Sequence, residues 1–145
     1  MVDSGIKGLW RLTVRAEFSA AHALRHYQGK CERLHGHNFA VELIVEGDEL
    51  EPETGMLVDF SILKKILAQV LEPLDHSILN DVPPFDEKGE INPSSELLAR
   101  HIGQNVAAKL VVIAPRARVY GVSVSEKGAQ SALWLARGEM PHFDS

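Results

Sequence analysis

The sequence predicts an α+β protein: an antiparallel four-stranded sheet with two helices on one face, in the order β-β-α-α-β-β. Three observations predict it. Strand-like alternation occupies the first third of the chain, two amphipathic helical stripes occupy the middle, and two strand-like runs joined by a tight turn close it. The 145 residues are read as one domain spanning 1–145, with 1–9 and 137–145 as loose termini.

The first strand begins at Trp10. Trp10, Leu12, Val14, Ala16 and Phe18 alternate with Arg11, Thr13, Arg15 and Glu17, the period of two of a half-buried strand. A second strand runs from about His37 to Glu46, with Phe39, Val41, Leu43 and Val45 on one face. Gly47-Asp48 and Pro52-Glu53-Thr54-Gly55 then break the pattern. Asp59 or Ser61 can cap the first helix, whose stripe is Ile62, Leu63, Ile66, Leu67, Val70 and Leu71. Pro73 ends it, and residues 74–92 read as loop. The second helix starts with Asn92 as cap, Pro93 at the first helical position and Glu96 in the first turn. Leu97, Leu98, His101, Ile102, Val106 and Leu110 follow at helical spacing. Strands over 118–126 and 131–136 flank a Lys127-Gly128 turn. Such a sheet leaves open edges, a liability that pairing across subunits removes.

Composition narrows the function classes. Hydrophobic residues make up 45%, too many for a disordered chain. The formal net charge of -5 argues against a dedicated nucleic-acid binder. No apolar run approaches the ~20 residues of a membrane-spanning helix, and the N-terminal residues lack the apolar core of a signal peptide. Cys31, the one cysteine, excludes a disulfide scaffold. A soluble cytoplasmic protein is expected, without nucleic-acid or membrane partners.

The densest chemistry lies in Cys31-Glu32-Arg33-Leu34-His35-Gly36-His37, with His22 upstream. His35 and His37 are two apart, so in an extended segment both imidazoles point to one face. His22 sits just past the first strand, where a hairpin partner could bring it opposite them. Three neutral imidazoles suit a tetrahedral zinc ion with one open position, a catalytic pattern. A lone His-x-His is also common on ordinary surfaces. Cys31 has three readings: a fourth ligand, a base or nucleophile whose pKa is lowered by the ion and by Arg33 or Lys30, or an inert thiol, the last disfavoured by its polar neighbours. Asp75-His76 offers a carboxylate that can orient an imidazole for acid–base work. Neighbouring loop residues often do nothing of the kind. Glu126, at a strand end, can bind a 2-amino-4-oxo heterocycle bidentately or simply face solvent.

Six runs, in order between about residues 10 and 136, resemble the 6-pyruvoyltetrahydropterin synthase family. They are Phe-x-Ala-Ala-His at 18–22, Cys-x-x-x-His-Gly-His at 31–37, Gly-Met-Leu-Val-Asp-Phe at 55–60, Leu-Asp-His-x-x-Leu-Asn at 74–80, Asn-Pro-Ser-Ser-Glu at 92–96, and Glu126. The three-residue spacer between Cys31 and His35 resembles the bacterial branch that forms 6-carboxytetrahydropterin for queuosine; the animal pyruvoyl-forming enzymes usually have a longer one.

The resemblance implies the tunnelling fold. Three subunits would close a twelve-stranded barrel, and two barrels would stack into a hexamer with active sites at subunit interfaces. It implies conversion of 7,8-dihydroneopterin triphosphate into 6-carboxy-5,6,7,8-tetrahydropterin, acetaldehyde and triphosphate. It assigns zinc to His22, His35 and His37, and the role of general base to a Cys31 thiolate. Asp75 and His76 would shuttle a proton beside Cys31 of a neighbouring chain. Glu126 would anchor the pterin, with Ser94, Ser95 or Glu96 assisting near the ring. Lys30, Arg33 and Lys127 are the electrostatic candidates for the triphosphate. Two departures stand out: Ser94 replaces the family's frequent threonine but keeps the hydroxyl, and Glu32 raises the Cys31 pKa unless the metal and Arg33 offset it. A pyruvoyl-forming or aldolase-like enzyme on the same scaffold is the first competing reading. A non-catalytic module in which Cys31 completes a closed zinc site is the second.

Overall fold

The structure, a computed structural model, describes residues 4–29 and 33–137. It is organised by one long hairpin. Strands β1 (Trp10–His22) and β2 (His35–Gly47) pair antiparallel from Trp10↔Gly47 to His22↔His35 without a register slip. Both strands are longer than the alternating stretches suggest. Cross-strand bonding carries β1 through Ser19, Ala20 and Ala21, residues of weak strand preference, to His22.

Helix α1 (Phe60–Leu71) is capped by Asp59, whose carboxylate accepts the Ser61 N–H at 2.8 Å. It stops two residues before Pro73. The region read as loop then contributes a two-residue strand, β3 (Ser77–Ile78), and a 3-10 turn at Leu79–Asp81. Helix α2 (Ser95–Ile113) precedes β4 (Arg118–Lys127) and β5 (Gln130–Leu135).

The sheet order is β3-β1-β2-β4-β5. The four long strands are antiparallel as expected, but β3 runs parallel to β1 at Ala20 and Ala21. The sheet is therefore five-stranded and mixed, and within one chain it is not closed. A two-residue strand carries no periodicity, so sequence patterning passes over it. The cap of α2 also differs from expectation: Ser94, not Asn92, accepts the Leu97 N–H at 3.2 Å, because the Asn92 carboxamide is bonded elsewhere.

One face of the sheet carries the core. Val14, Phe18 and Ala20 of β1, Phe39, Val41, Leu43 and Val45 of β2, and Val119, Val122 and Val124 of β4 are buried. They meet Leu63, Ile66, Leu67 and Val70 of α1 and Leu98, Ile102, Val106 and Leu110 of α2. Each such aliphatic side chain contributes about 1.5–3 kcal/mol on burial. Phe18 and Phe39 stack across the hairpin with centroids 4.8 Å apart. Gly103 of α2 lets the Trp134 indole close the β5 side, since a Cβ there would lie 2.3 Å from the ring.

The opposite face carries ion pairs between strands. Arg15 pairs with Glu42, and Arg11 and Arg118 share Glu46; surface pairs of this kind are worth about 0–1 kcal/mol each. Among the described residues, no helix is long and apolar enough to cross a membrane.

Candidate active site

The end of the β1–β2 hairpin builds the site from strand alternation and register. His35, His37 and Phe39 follow one another on the core face of β2, and His22 lies on the same face of β1 opposite His35. One ligand atom from each of His22, His35 and His37 can be chosen so that all lie within 4.8 Å of one another. The rings sit edge to face or tilted, at centroid distances of 4.6 to 5.5 Å. The edges of the His22 and His37 rings meet Phe39, the first core residue beneath them.

Main-chain carbonyls orient two of the rings. His22 Nδ1 lies 2.7 Å from the Pro93 carbonyl, and His35 Nδ1 lies 2.7 Å from the Arg33 carbonyl. A carbonyl only accepts, so each Nδ1 carries the proton and each Nε2 offers a lone pair. Among the described residues, His22 Nε2 and His37 Nε2 are buried and have no hydrogen-bond partner. A buried nitrogen left unsatisfied costs free energy that a metal ion removes. The donor set and its orientation fit a divalent ion favoured by imidazole, and these three histidines can hold one.

The pKa of His37 is lowered from its ordinary value. Burial is the main cause; Glu126 opposes it, while His35, His22 and Lys127 add to it. A lowered pKa keeps the imidazole neutral and able to ligate at neutral pH.

Glu126, near the end of β4, straddles the cluster. Its two oxygens lie 3.5 Å from His22 Nε2 and 3.5 Å from His37 Nε2. Ser95, the first residue of α2, donates its hydroxyl to Glu126 Oε1 at 3.1 Å. A cavity of about 310 Å³ opens beside this carboxylate, lined in part by Leu24, Ser94, Ser95, Glu96 and Gln130. The run 92–95 thus frames the site with four consecutive residues. Asn92 binds the main chain of Arg25, Pro93 orients His22, Ser94 caps α2 and Ser95 holds Glu126.

Asp75 and His76 lie elsewhere. Asp75 Oδ1 accepts the Ser19 N–H at 2.9 Å, and the His76 N–H donates to the Ser19 carbonyl at 2.6 Å. The pair is pinned to the β1 edge. The His76 ring is 82% exposed, and its Nε2 is 3.5 Å from Asp75 Oδ2, too long for a good hydrogen bond. A depression of about 490 Å³ lined by Ser19, Gly36, His37, Asn38 and His76 runs from the pair towards β2.

The structure therefore brings together His22, His35, His37, Glu126 and Ser95, with Ser94 and Glu96 beside them. It leaves Asp75 and His76 on the sheet edge. Cys31, Lys30 and Glu32 lie outside the described residues. Arg33 is exposed next to His35, and Lys127 is close enough to depress the His37 pKa. Sequence reading missed the roles of Asn80, Asn92 and Pro93. Asparagine beside proline signals only a turn or a cap; a carboxamide's distant partners leave no local pattern.

Fold and histidine cluster together define an α+β scaffold whose three imidazoles could hold a metal ion, and the relatives specify its class. The chain is 42% identical over 98 residues to the 6-carboxy-5,6,7,8-tetrahydropterin synthase of Synechocystis sp., covering 65% of this chain and 72% of that one. It is 37% identical over 100 residues to the dihydroneopterin monophosphate aldolase of Pyrococcus furiosus, covering 69% and 77%. Among solved structures, the 6-pyruvoyl tetrahydropterin synthase of Caenorhabditis elegans superposes with a TM-score of 0.74 at 23% identity, over 90% of this chain and 98% of that one. The family described as 6-pyruvoyl tetrahydropterin synthase matches residues 11–135. The chain belongs to that family, and is an enzyme of its pterin-lyase class.

Proposed function

We propose that this enzyme converts 7,8-dihydroneopterin triphosphate into 6-carboxy-5,6,7,8-tetrahydropterin, acetaldehyde and triphosphate, in a soluble cytoplasmic route to queuosine or another 7-deazapurine. The observation that carries the reading is the trio of imidazoles with two buried Nε2 atoms that lack a hydrogen-bond partner. The three-residue spacer after Cys31 and the similarity to the Synechocystis enzyme support the product.

His22, His35 and His37 are the proposed ligands of a zinc ion. Bound there, zinc supplies Lewis acidity that makes protons on a ligated substrate side chain easier to remove. Glu126, held by Ser95, is the proposed acceptor of two N–H groups from a pterin edge, its charge strengthening both bonds. Ser94 and Glu96 line the same cavity. Cys31, four residues before His35, is the proposed base. Asp75 and His76 are the proposed proton relay, acting on the opposite side of the substrate. Arg33 and Lys127, with Lys30, are proposed to meet the triphosphate.

The exposed His76 and the open sheet edges support assembly into barrels of three chains and hexamers of two barrels. β3 covers β1 only at Ala20 and Ala21, and Leu133 and Leu135 on the β5 edge are exposed. Pairing β5 of one chain with β1 of the next would remove both edges.

The test is incubation of the zinc-loaded protein with 7,8-dihydroneopterin triphosphate and identification of products by mass spectrometry, with Cys31→Ala alongside. Carboxytetrahydropterin and acetaldehyde, lost in the variant, are expected. A side-chain-cleaved pterin would favour the second reading, an aldolase-like reaction, which the 37% identity to the Pyrococcus furiosus enzyme supports. A pyruvoyl product would assign the sister synthase activity.

A further inference from the structure

The chain leaves the sheet at the metal cluster. Beyond His22↔His35 the β1–β2 ladder ends, so residues 23–25 lose β2 as a hydrogen-bonding neighbour. Two side chains from the segment that follows β3, the neighbour of β1 on its other side, hold this stretch instead. Asn80 accepts the Ala23 N–H at 2.9 Å through Oδ1 and donates Nδ2–H to the Ala23 carbonyl at 2.9 Å. Asn92 does the same for Arg25, at 2.9 and 3.0 Å. A carboxamide carries the same donor and acceptor as a peptide group. Two of them on alternate residues therefore reproduce the bonding that a neighbouring strand would give.

The Arg25 side chain locks the arrangement from the other side. Its guanidinium donates to the carbonyls of Ile91, Asn80 and Phe85. These are main-chain groups of the segment that carries both asparagines, so Arg25 serves as a latch within the protein. The residue after Asn92 is Pro93, whose carbonyl orients the His22 ring. One dipeptide thus fixes both the imidazole and the backbone that follows it.

We propose that Asn80 and Asn92 are positioning residues of the metal centre: they hold residues 23–25 as a surrogate strand, preset His22, and anchor the start of the segment that carries Cys31. This rests on the three-histidine reading of the metal site. With the clamps in place, an ion meets a ligand already oriented. Without them, binding must also order residues 23–25, and affinity falls.

The experiment compares Zn²⁺ affinity, by competition with a chromophoric chelator, for the full-length wild type, Asn80→Ala, Asn92→Ala, His35→Ala and a control, Asn105→Ala. Melting temperatures are recorded with and without Zn²⁺. The dissociation constant is expected to rise about 10-fold or more in each clamp variant, within the range of about 10- to 100-fold seen when residues supporting metal ligands are lost. The melting-temperature gain on adding Zn²⁺ should shrink with it. Asn105, which bonds His101 on α2, should leave both unchanged. Should an alanine variant not fold, Asn80→Asp and Asn92→Asp carry the same expectation, since aspartate keeps the shape but loses the donor to the carbonyl. An unchanged dissociation constant with only a lower metal-free melting temperature would overturn the inference. A wild type that binds Zn²⁺ no better than His35→Ala would overturn the metal-site reading beneath it.

Discussion

Two titratable clusters lie close together along β1, and the fold treats them in opposite ways. His22 faces the core, is buried, has one ring nitrogen bonded to Pro93 and meets two further imidazoles and a carboxylate. Asp75 and His76 grip Ser19, three residues earlier, yet turn outward at the sheet edge with an exposed ring. The first cluster is built to hold a charge in low dielectric, where neighbours decide protonation and geometry. The second has a fixed backbone and an unfinished environment: His76 adopts φ 55°, a left-handed conformation uncommon outside glycine, while its side chain faces solvent. A proton-transferring group needs a defined partner, so the proposed relay role of this edge depends on the proposed subunit contact.

The sharpest way to break the comparison is to remove one group from each cluster. His35→Ala should abolish metal retention and lower kcat/KM by roughly 10³-fold or more, because several kcal/mol of transition-state stabilisation depend on the ion; metal analysis and steady-state kinetics check this. His76→Ala should lower kcat about 100-fold, the lower end for a general acid–base residue, with Zn²⁺ affinity unchanged. Mixing His76→Ala with Cys31→Ala and re-forming the proposed oligomer should restore part of the activity if the two groups act across a subunit interface. No recovery after confirmed exchange would place them in one chain.

Smaller effects sharpen the contrast on the buried side. Glu126→Gln should raise KM for the pterin about 10- to 100-fold, the equivalent of losing one charge-assisted hydrogen bond, with the metal retained. Acid should weaken the metal-free protein. His37 and His101 both have pKa values lowered from 6.5, chiefly by burial, so the unfolded chain takes up their protons first. Their contribution to stability is fully present above pH 6.5 and lost as pH falls below it towards the lowered folded values. Denaturant midpoints between pH 8 and 5 measure this, and His101→Gln should flatten part of the slope. Least of all, Ser94→Ala should cost about 1 kcal/mol through loss of the α2 cap, read as a lower melting temperature.

Much of this was legible from the chain alone, for identifiable reasons. Period-two alternation from Trp10 to Phe18 and from Phe39 to Val45 marked the long hairpin. The stripes ending at Leu71 and Leu110 marked both helices, and Asp59 announced its cap. The three histidines stood out because His35 and His37 share a strand face by geometry. What stayed hidden was non-local or too short to pattern: β3, with two residues, and the cap of α2, where Asn92 looked suitable but is bonded to Arg25. Asp75-His76 read as a possible relay from adjacency alone, which says nothing about the face the pair occupies.

By itself, then, the sequence determined the order of the four long strands and two helices, the helix-covered face, the three imidazoles and the family runs, because propensity and periodicity act between residues a few positions apart. Only the tertiary structure decided that His22 sits opposite His35, that Glu126 and Ser95 close over the cluster, that Asn80 and Asn92 stand in for a strand, and that His76 faces outward. Those outcomes depend on strand register and on hydrogen bonds between groups as many as 71 positions apart. Such bonds form where packing brings donor and acceptor together, and no local pattern encodes them.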